Sequence, residues 1–332
     1  MSHELEIING QAQMAYVGEK PWHGLGVKLD EGVTPQQMMK AAGLNWGVVK
    51  APQFIQLQSA DGKTRYQETE QRALVRTSDN KILDYVSGDW NPVQNETAFE
   101  FFNDFVQAGE MMMDTAGSLH DGKVVWALAK VGESFDIFGG DVTENYLLFS
   151  NPHKFGQSID IRMTPIRVVC NNTITMALGS KSTRMFRQTH RIEFDADKAK
   201  LAIGVAADKL AKYKEAAVML GSKRAEEDQV IEFMSELFPV YSYKKDHVPT
   251  KTMSDNANRA LDLIAKQPGA NFREGSWWQA FCAVTYMVDH ELGRSQDTRL
   301  SSAWFGTGAD KKIQALNNAV KLADKSKDLI IA

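Results

Sequence analysis

Apolar positions recur with two different periods along this chain, and the change of period divides it. Up to about Phe194, alternation of period two mixes with short helical stretches; from Asp195 onward the pattern is almost wholly helical. In the first part, Thr34-Pro35 followed by Gln37 predicts a capping box with proline at the first helical position, Met38, Met39 and Ala42 facing inward. Residues 46–57 read as a strand that Asp61-Gly62 turns into a second running to Thr77, and 82–86 as a third. Asn95 is expected to cap an aromatic helix (Phe99, Phe101, Phe102, Phe105) ending near Gly109. Residues 111–119 and 123–131, joined through Asp121-Gly122, give the clearest hairpin signal. Strands are expected at 146–150, 157–162 and 185–194. Between the last two, Thr164-Pro165 opens a helix that Gly179 stops.

The second part predicts helices at 195–220, 225–237, 254–267, 277–291 and 309–327, with Ser276 and Gln279 at capping-box spacing before Trp277-Trp278. The fold class expected is α+β: a mixed sheet-and-helix domain over 1–194, carrying the basic stretch described below, then a mainly helical domain over 195–332.

Composition adds limits. The 332 residues suffice for about two domains, and 43% apolar with 24% charged is ordinary for a globular chain, its 14 Met and 16 Phe serving as core filling. No run of about eighteen apolar residues occurs, which predicts no membrane span. The start MSHELEIINGQAQ has neither a basic head nor an apolar core, which predicts no secretory signal. Cys170 and Cys282 lie far apart in apolar helical contexts, so free thiols in a reducing, cytoplasmic setting are expected. The seven His lack metal-ligand spacing, and Gly24-Leu25-Gly26 lacks the strand-to-helix frame of a phosphate loop; neither metal nor cofactor is expected.

Charge alters the picture most. Lys154, Arg162, Arg167, Lys181, Arg184, Arg187 and Arg191 stand against the single acid Asp160 between Asn151 and Ile192, in a chain of 38 basic and 42 acidic residues. A local excess of this kind points to a polyanion. On the helix expected from Pro165, Arg167, Asn171 and Thr175 follow at four-residue steps, away from an apolar face that includes Ile166, Val169 and Cys170. On the following strand, Arg187, Thr189 and Arg191 share one side, and Phe186, Ile192 and Phe194 the other. The planar fork of arginine suits phosphate oxygens, and Trp90 and Phe155 are candidate platforms for unpaired bases. The leading expectation is a non-catalytic nucleic-acid binder, holding single-stranded DNA through Lys154, Arg162, Arg167, Asn171, Lys181, Arg184, Arg187 and Arg191 and forming homo-oligomers along the strand. The bland alternative is that these arginines are solvated surface or pair with acids.

Two other classes stay open. A net charge of −4 and ample apolar content suit a factor that binds a host protein. An enzyme acting on a nucleotide or nucleic acid would use Arg167 and Asn171 beside Cys170 or His190, although Cys170 on the apolar side of its helix reads as packing.

Several segments carry a resemblance. Pro21-Trp22-His23-Gly24-Leu25-Gly26, Ala42-Gly43-Leu44-Asn45-Trp46, the run Val86-Ser87-Gly88-Asp89-Trp90-Asn91-Pro92-Val93-Gln94-Asn95, and above all Arg167-Val168-Val169-Cys170-Asn171-Asn172-Thr173 are similar to the DUF932 family of phage and plasmid proteins, whose core reads Arg-Val-Val-Cys-x-Asn-Thr. Weaker echoes cover Ala283 to His290 and Phe305-Gly306. The resemblance implies carriage by mobile elements, hence a host-cell cytoplasm for a phage-encoded chain, and handling of phage or plasmid DNA by association; it implies no particular activity.

Overall fold

A computed structural model of the chain describes residues 5–18, 24–132, 134–167, 172–173, 184–204, 206–240, 252–293, 299, 302–303 and 306–329. The protein is mixed α and β, and from Ala196 onward every regular element among the described residues is helical. The chain forms two compact units, each assembled from separated segments: Met1–Gly132, Tyr146–Arg162 and Arg184–Ile203 in the first; Glu133–Asn145, Met163–Thr183 and Gly204–Ala332 in the second.

After a short pair, β1 (Ile7–Ile8) and β2 (Gln11–Ala12), the first unit is organised by a sheet of β3 (Met14–Val17), β4 (Val27–Leu29), β8 (Met111–Leu119), β9 (Val124–Val131), β11 (Val142–Pro152, in this unit from Tyr146), β12 (Ile159–Arg167, in this unit to Arg162) and β14 (Arg184–Gln188). Its order is β14-β12-β11-β9-β8-β3-β4, with β3 and β4 parallel and β8, β9 and β11 antiparallel. The β8–β9 hairpin follows its sequence signal, and His120, Asp121 and Gly122 all turn with positive φ. A Cβ at Gly122 would lie 2.6 Å from Arg76 Nη1, so the turn needs glycine for space as well as for conformation.

A second sheet in this unit, β5-β6-β7, comprises β5 (Val48–Gln58), β6 (Thr64–Arg76) and β7 (Ile82–Ser87). Helix α1 (Pro35–Ala41) starts with the expected box: Gln37 N donates to Thr34 Oγ1 at 3.2 Å, and Thr34 N to Gln37 Oε1 at 2.8 Å. The aromatic segment forms α2 (Asn95–Glu100) and α3 (Asn103–Gln107), placing Phe101 and Phe102 on Phe149 of β11 with ring centroids 5.3 and 5.9 Å apart. Phe194 closes the cluster 5.7 Å from Phe149. Burying each such ring contributes about 2–3 kcal/mol.

Asn95 does not cap this helix, contrary to expectation. Gln94 holds the cap position, and its carboxamide instead bonds Val48 N at 2.9 Å and Val48 O at 3.0 Å. Asn95 is buried and donates to Leu44 O at 3.0 Å. The helix expected from Pro165 is also corrected. Pro165, Ile166 and Arg167 continue β12, and β13 (Asn172–Thr173) pairs back on it through Ile166↔Thr173. The remainder of that predicted helix lies outside the described residues.

In the second unit, β10 (Phe135–Asp136) pairs with the start of β11. After α4 (Ala196–Gly204), helices α5 (Ala206–Ser222), α6 (Glu227–Leu237), α7 (Asp255–Lys266), α8 (Trp277–Tyr286) and α9 (Thr307–Ala323) make the core of the second unit. Ser276 Oγ accepts from Gln279 N at 3.3 Å, while Gln279 Oε1 takes Gly275 N at 2.9 Å, a half box displaced by one residue. Trp278 Nε1 donates to the buried Asp141 at 2.8 Å, and Trp277 Nε1 to Ser326 at 2.9 Å. The helix expected to continue to 291 widens into a π-helical turn, Met287–Glu291, whose Asp289 accepts from the fully buried Lys312 at 2.7 Å. Burial pushes the Lys312 ammonium below its ordinary value, and Asp289 opposes that. Among the described residues no helix is long and apolar enough to cross a membrane.

Candidate nucleic-acid interface

Strand β14 pairs antiparallel with β12 through Ile159↔Gln188 and Asp160↔Arg187. From Phe186 to Arg191 burial alternates as the sequence indicates, although the strand expected to reach Phe194 ends at Gln188: Arg187, Thr189 and Arg191 are exposed, while Phe186, Gln188 and His190 are buried. The apolar side is held by the Phe149–Phe194 cluster, with Phe186 and Phe194 6.2 Å apart. Ile192, expected inward, is exposed, because β14 has ended at Gln188 and the chain turns.

The loop before β12 carries Lys154, half-buried, and Phe155, whose ring is 64% exposed. Both this loop and the end of β14 reach the segment that begins with β7. Phe155 N donates to Asp84 Oδ2 at 2.9 Å, and Arg191 Nε stands 3.8 Å from Asp89 with its side chain 77% exposed. Lys50 joins from β5, donating to Gly88 O at 2.7 Å. Ser87 donates to Asp89, which together with Arg191 and Lys50 holds the Asp89 carboxyl below its ordinary range. Burial, then the charges of Lys154 and Lys123, push His120 below its usual value. Lys50 and Arg191 thus meet the Gly88-Asp89 segment, the Lys154-Phe155 loop meets Asp84 just before it, and Arg187 is exposed four residues from Arg191. Lys50 and Lys123 lie outside the basic stretch and carry no local signal that would have singled them out.

Other expected residues sit elsewhere. Arg162 is buried and forks onto Asp160, Nη2 to Oδ2 at 3.1 Å, so it cannot meet a phosphate from solvent. Trp90 is no stacking platform: it is buried, parallel to the His190 ring with centroids 4.1 Å apart. Arg167 ends β12 and Arg184 opens β14, their side chains lying outside the described portion; Cys170, Asn171 and Lys181 lie outside it entirely.

Beneath this surface runs a polar layer that sequence reasoning missed. His153 Nε2 lies 2.9 Å from Asn95 Oδ1. The Asn95 amide nitrogen already donates to Leu44 O and Trp46 O, so its oxygen accepts and Nε2 carries the proton. His190 Nδ1 lies 3.1 Å from Asn91 O, which only accepts, so that proton sits on Nδ1. Burial pushes His153 down to about 3 and His190 to about 4, leaving both neutral. Further along, Arg76 is fully buried between Glu6, 2.8 Å from Nη1, and Asp79, 2.7 Å from Nη2, with its guanidinium 5.2 Å from the Trp46 ring centroid. Arg76 holds Asp79 down to about 2. These groups are spent on holding the fold. Among the described residues no group of three or more His, Cys, Asp or Glu is placed to hold a metal ion.

A family model described as "Domain of unknown function (DUF932)" matches residues 82–304. No curated protein and no solved structure matches the chain. The matched span contains β7, Trp90, the Phe155 loop and all of β14.

Proposed function

The chain belongs to the DUF932 family, and we propose that it binds single-stranded nucleic acid, DNA in the first instance, as a holder of the sugar–phosphate backbone and not as a catalyst. One observation carries the reading: Arg187 on β14, and Thr189 and Arg191 in the turn that follows it, face solvent in alternation, and Phe155 projects from the loop that meets the same β7 segment. Arg187 forms no ion pair among the described residues, and Arg191 touches Asp89 only at the limit of an ion pair, 3.8 Å. Their guanidinium forks are available to phosphate. The exposed Phe155 ring, on the loop bonded to Asp84, offers a face to any base, which favours binding tolerant of sequence. Lys50, Lys123 and Lys154 extend the cationic surface, and Asp84 and Asp89 limit its strength.

The test is anisotropy of a labelled oligonucleotide titrated at low salt. Arg187→Glu with Arg191→Glu is expected to weaken binding by tenfold or more. Phe155→Ala removes a stacking contact of about 1–3 kcal/mol and is expected to weaken binding roughly 5- to 150-fold. All three positions are exposed, so the variants should melt like wild type. A folded double variant with wild-type affinity overturns the assignment of this surface.

A further inference from the structure

Strands β5 and β6 run well beyond β7: β6 meets β7 only from Gln71 onward. The distal part is a two-stranded arm, and nearly every residue from Pro52 to Glu70 is exposed. Phe54 is 55% exposed, Ile55 43% and Tyr66 70%. A two-stranded ribbon bare on both faces is marginal in water. The outer edge of β5 is closed at its base, where the Gln94 carboxamide takes both the N–H and the C=O of Val48. Farther out, nothing among the described residues covers it, since β5 is the terminal strand of its sheet.

The hairpin turn fixes which groups face that edge. Gly62 N donates to Ser59 O, and Ser59 N donates to Lys63 O, both at 2.8 Å, marking Ser59 and Lys63 as a hydrogen-bonded pair. Antiparallel ladders alternate such pairs with non-bonded ones. With Leu57↔Arg65 and Ile55↔Gln67 in register, Leu57 and Ile55 therefore bond inward to β6. The N–H and C=O of Phe54, Gln56 and Gln58 point outward. The edge segment Gln53-Phe54-Ile55-Gln56-Leu57-Gln58 has no charge, glycine or proline. Native edges are normally blunted by such residues, and a bare segment of this composition pairs readily with its own kind.

We propose that the arm is a homodimer interface, in which β5 pairs antiparallel with β5 of a second copy about a two-fold axis through Gln56. Opposed residues must share a face, so the register has to match positions of equal parity. Centring on Gln56 sets Gln56 against Gln56 and Phe54 against Gln58 of the second copy, which pairs every outward N–H and C=O of those three residues. Centring on Ile55 would oppose Gln58 to Pro52, which has no N–H to give. The chosen register also sets the exposed Ile55 beside the half-buried Leu57 of the second copy on one face, uniting apolar side chains across the axis. A second copy fits better than a polyanion: between Gln53 and Glu70 the acids Asp61, Glu68 and Glu70 outnumber Lys63 and Arg65.

The full chain should sediment as a dimer. Gln56→Lys and Gln56→Glu each oppose like charges across the axis and should each give monomer with unchanged thermal unfolding, while mixing the two variants should restore the dimer. Gln56→Pro removes an outward N–H without breaking a β5–β6 bond and should also give monomer. A monomeric wild type overturns the proposal, as does a Gln56→Lys protein that stays dimeric. Two monomeric charge variants that fail to combine overturn it as well, and assign the arm to a different partner. Oligonucleotide binding by the monomeric variants reports separately on the β14 surface, so the two readings stand or fall independently.

Discussion

His153 and His190 are neutral because each is buried and each gives its one proton to an oxygen that can only accept. Their folded pKa values, about 3 and about 4, lie below the unfolded value near 6.5. As pH falls below about 6.5 the unfolded chain takes up these protons first. The stability they allow is thus complete above that pH and is lost progressively toward the folded values. Melting temperature should drop between pH 7 and pH 5, and His153→Gln, which keeps a donor to Asn95 but does not titrate, should drop less. A second residue-scale prediction concerns Gly122. With φ of +86° and the Arg76 guanidinium 2.6 Å from any Cβ, Gly122→Ala should cost about 2 kcal/mol or more, read as a lower denaturant midpoint. Arg76→Met leaves the buried Glu6 to Lys81, 3.5 Å away, and the Ser118 hydroxyl, and should cost about 3 kcal/mol.

At the scale of elements, the arm and the core respond differently to change. The distal arm buries almost nothing, so replacing residues 53–70 by a tight turn between Pro52 and Gln71 should leave thermal unfolding of the remainder within a few degrees of wild type, judged by circular dichroism. Features written in local signals were legible in the sequence: α1 through Thr34, Pro35 and Gln37, the β8–β9 hairpin through Asp121-Gly122, and the alternating exposure of Arg187, Thr189 and Arg191. Elements that depend on distant partners were not. Strand β3 is four residues long and gains its place only by pairing with β8 and β4. The Pro165 segment has the helical pattern, yet Arg167 extends β12, where pairing with β13 outweighs the local cap. Arg162 illustrates the same limit: Ile159, Asp160, Ile161 and Arg162 are all buried, so both faces of β12 are covered there. No local alternation distinguishes such a strand from one with a wet face.

Across the whole molecule, the basic stretch that drew attention in the sequence separates into parts with different fates. Arg162 is committed to Asp160, while Arg187 and Arg191 reach solvent together with Phe155, joined by Lys50 from another sheet. Among the described residues the candidate surface excludes Arg162 and is drawn from segments far apart in the sequence. Contact with a polyanion through these residues has a specific signature, the release of counterions. The most direct measurement is oligonucleotide affinity across a salt series. Lys50, Lys154, Arg187 and Arg191 meeting phosphates of a single strand predict a slope of log K against log salt of about −3, and the double variant Arg187→Glu with Arg191→Glu should be shallower by about 1.4 or more. A slope near zero, or one the double variant leaves unchanged, would contradict the account.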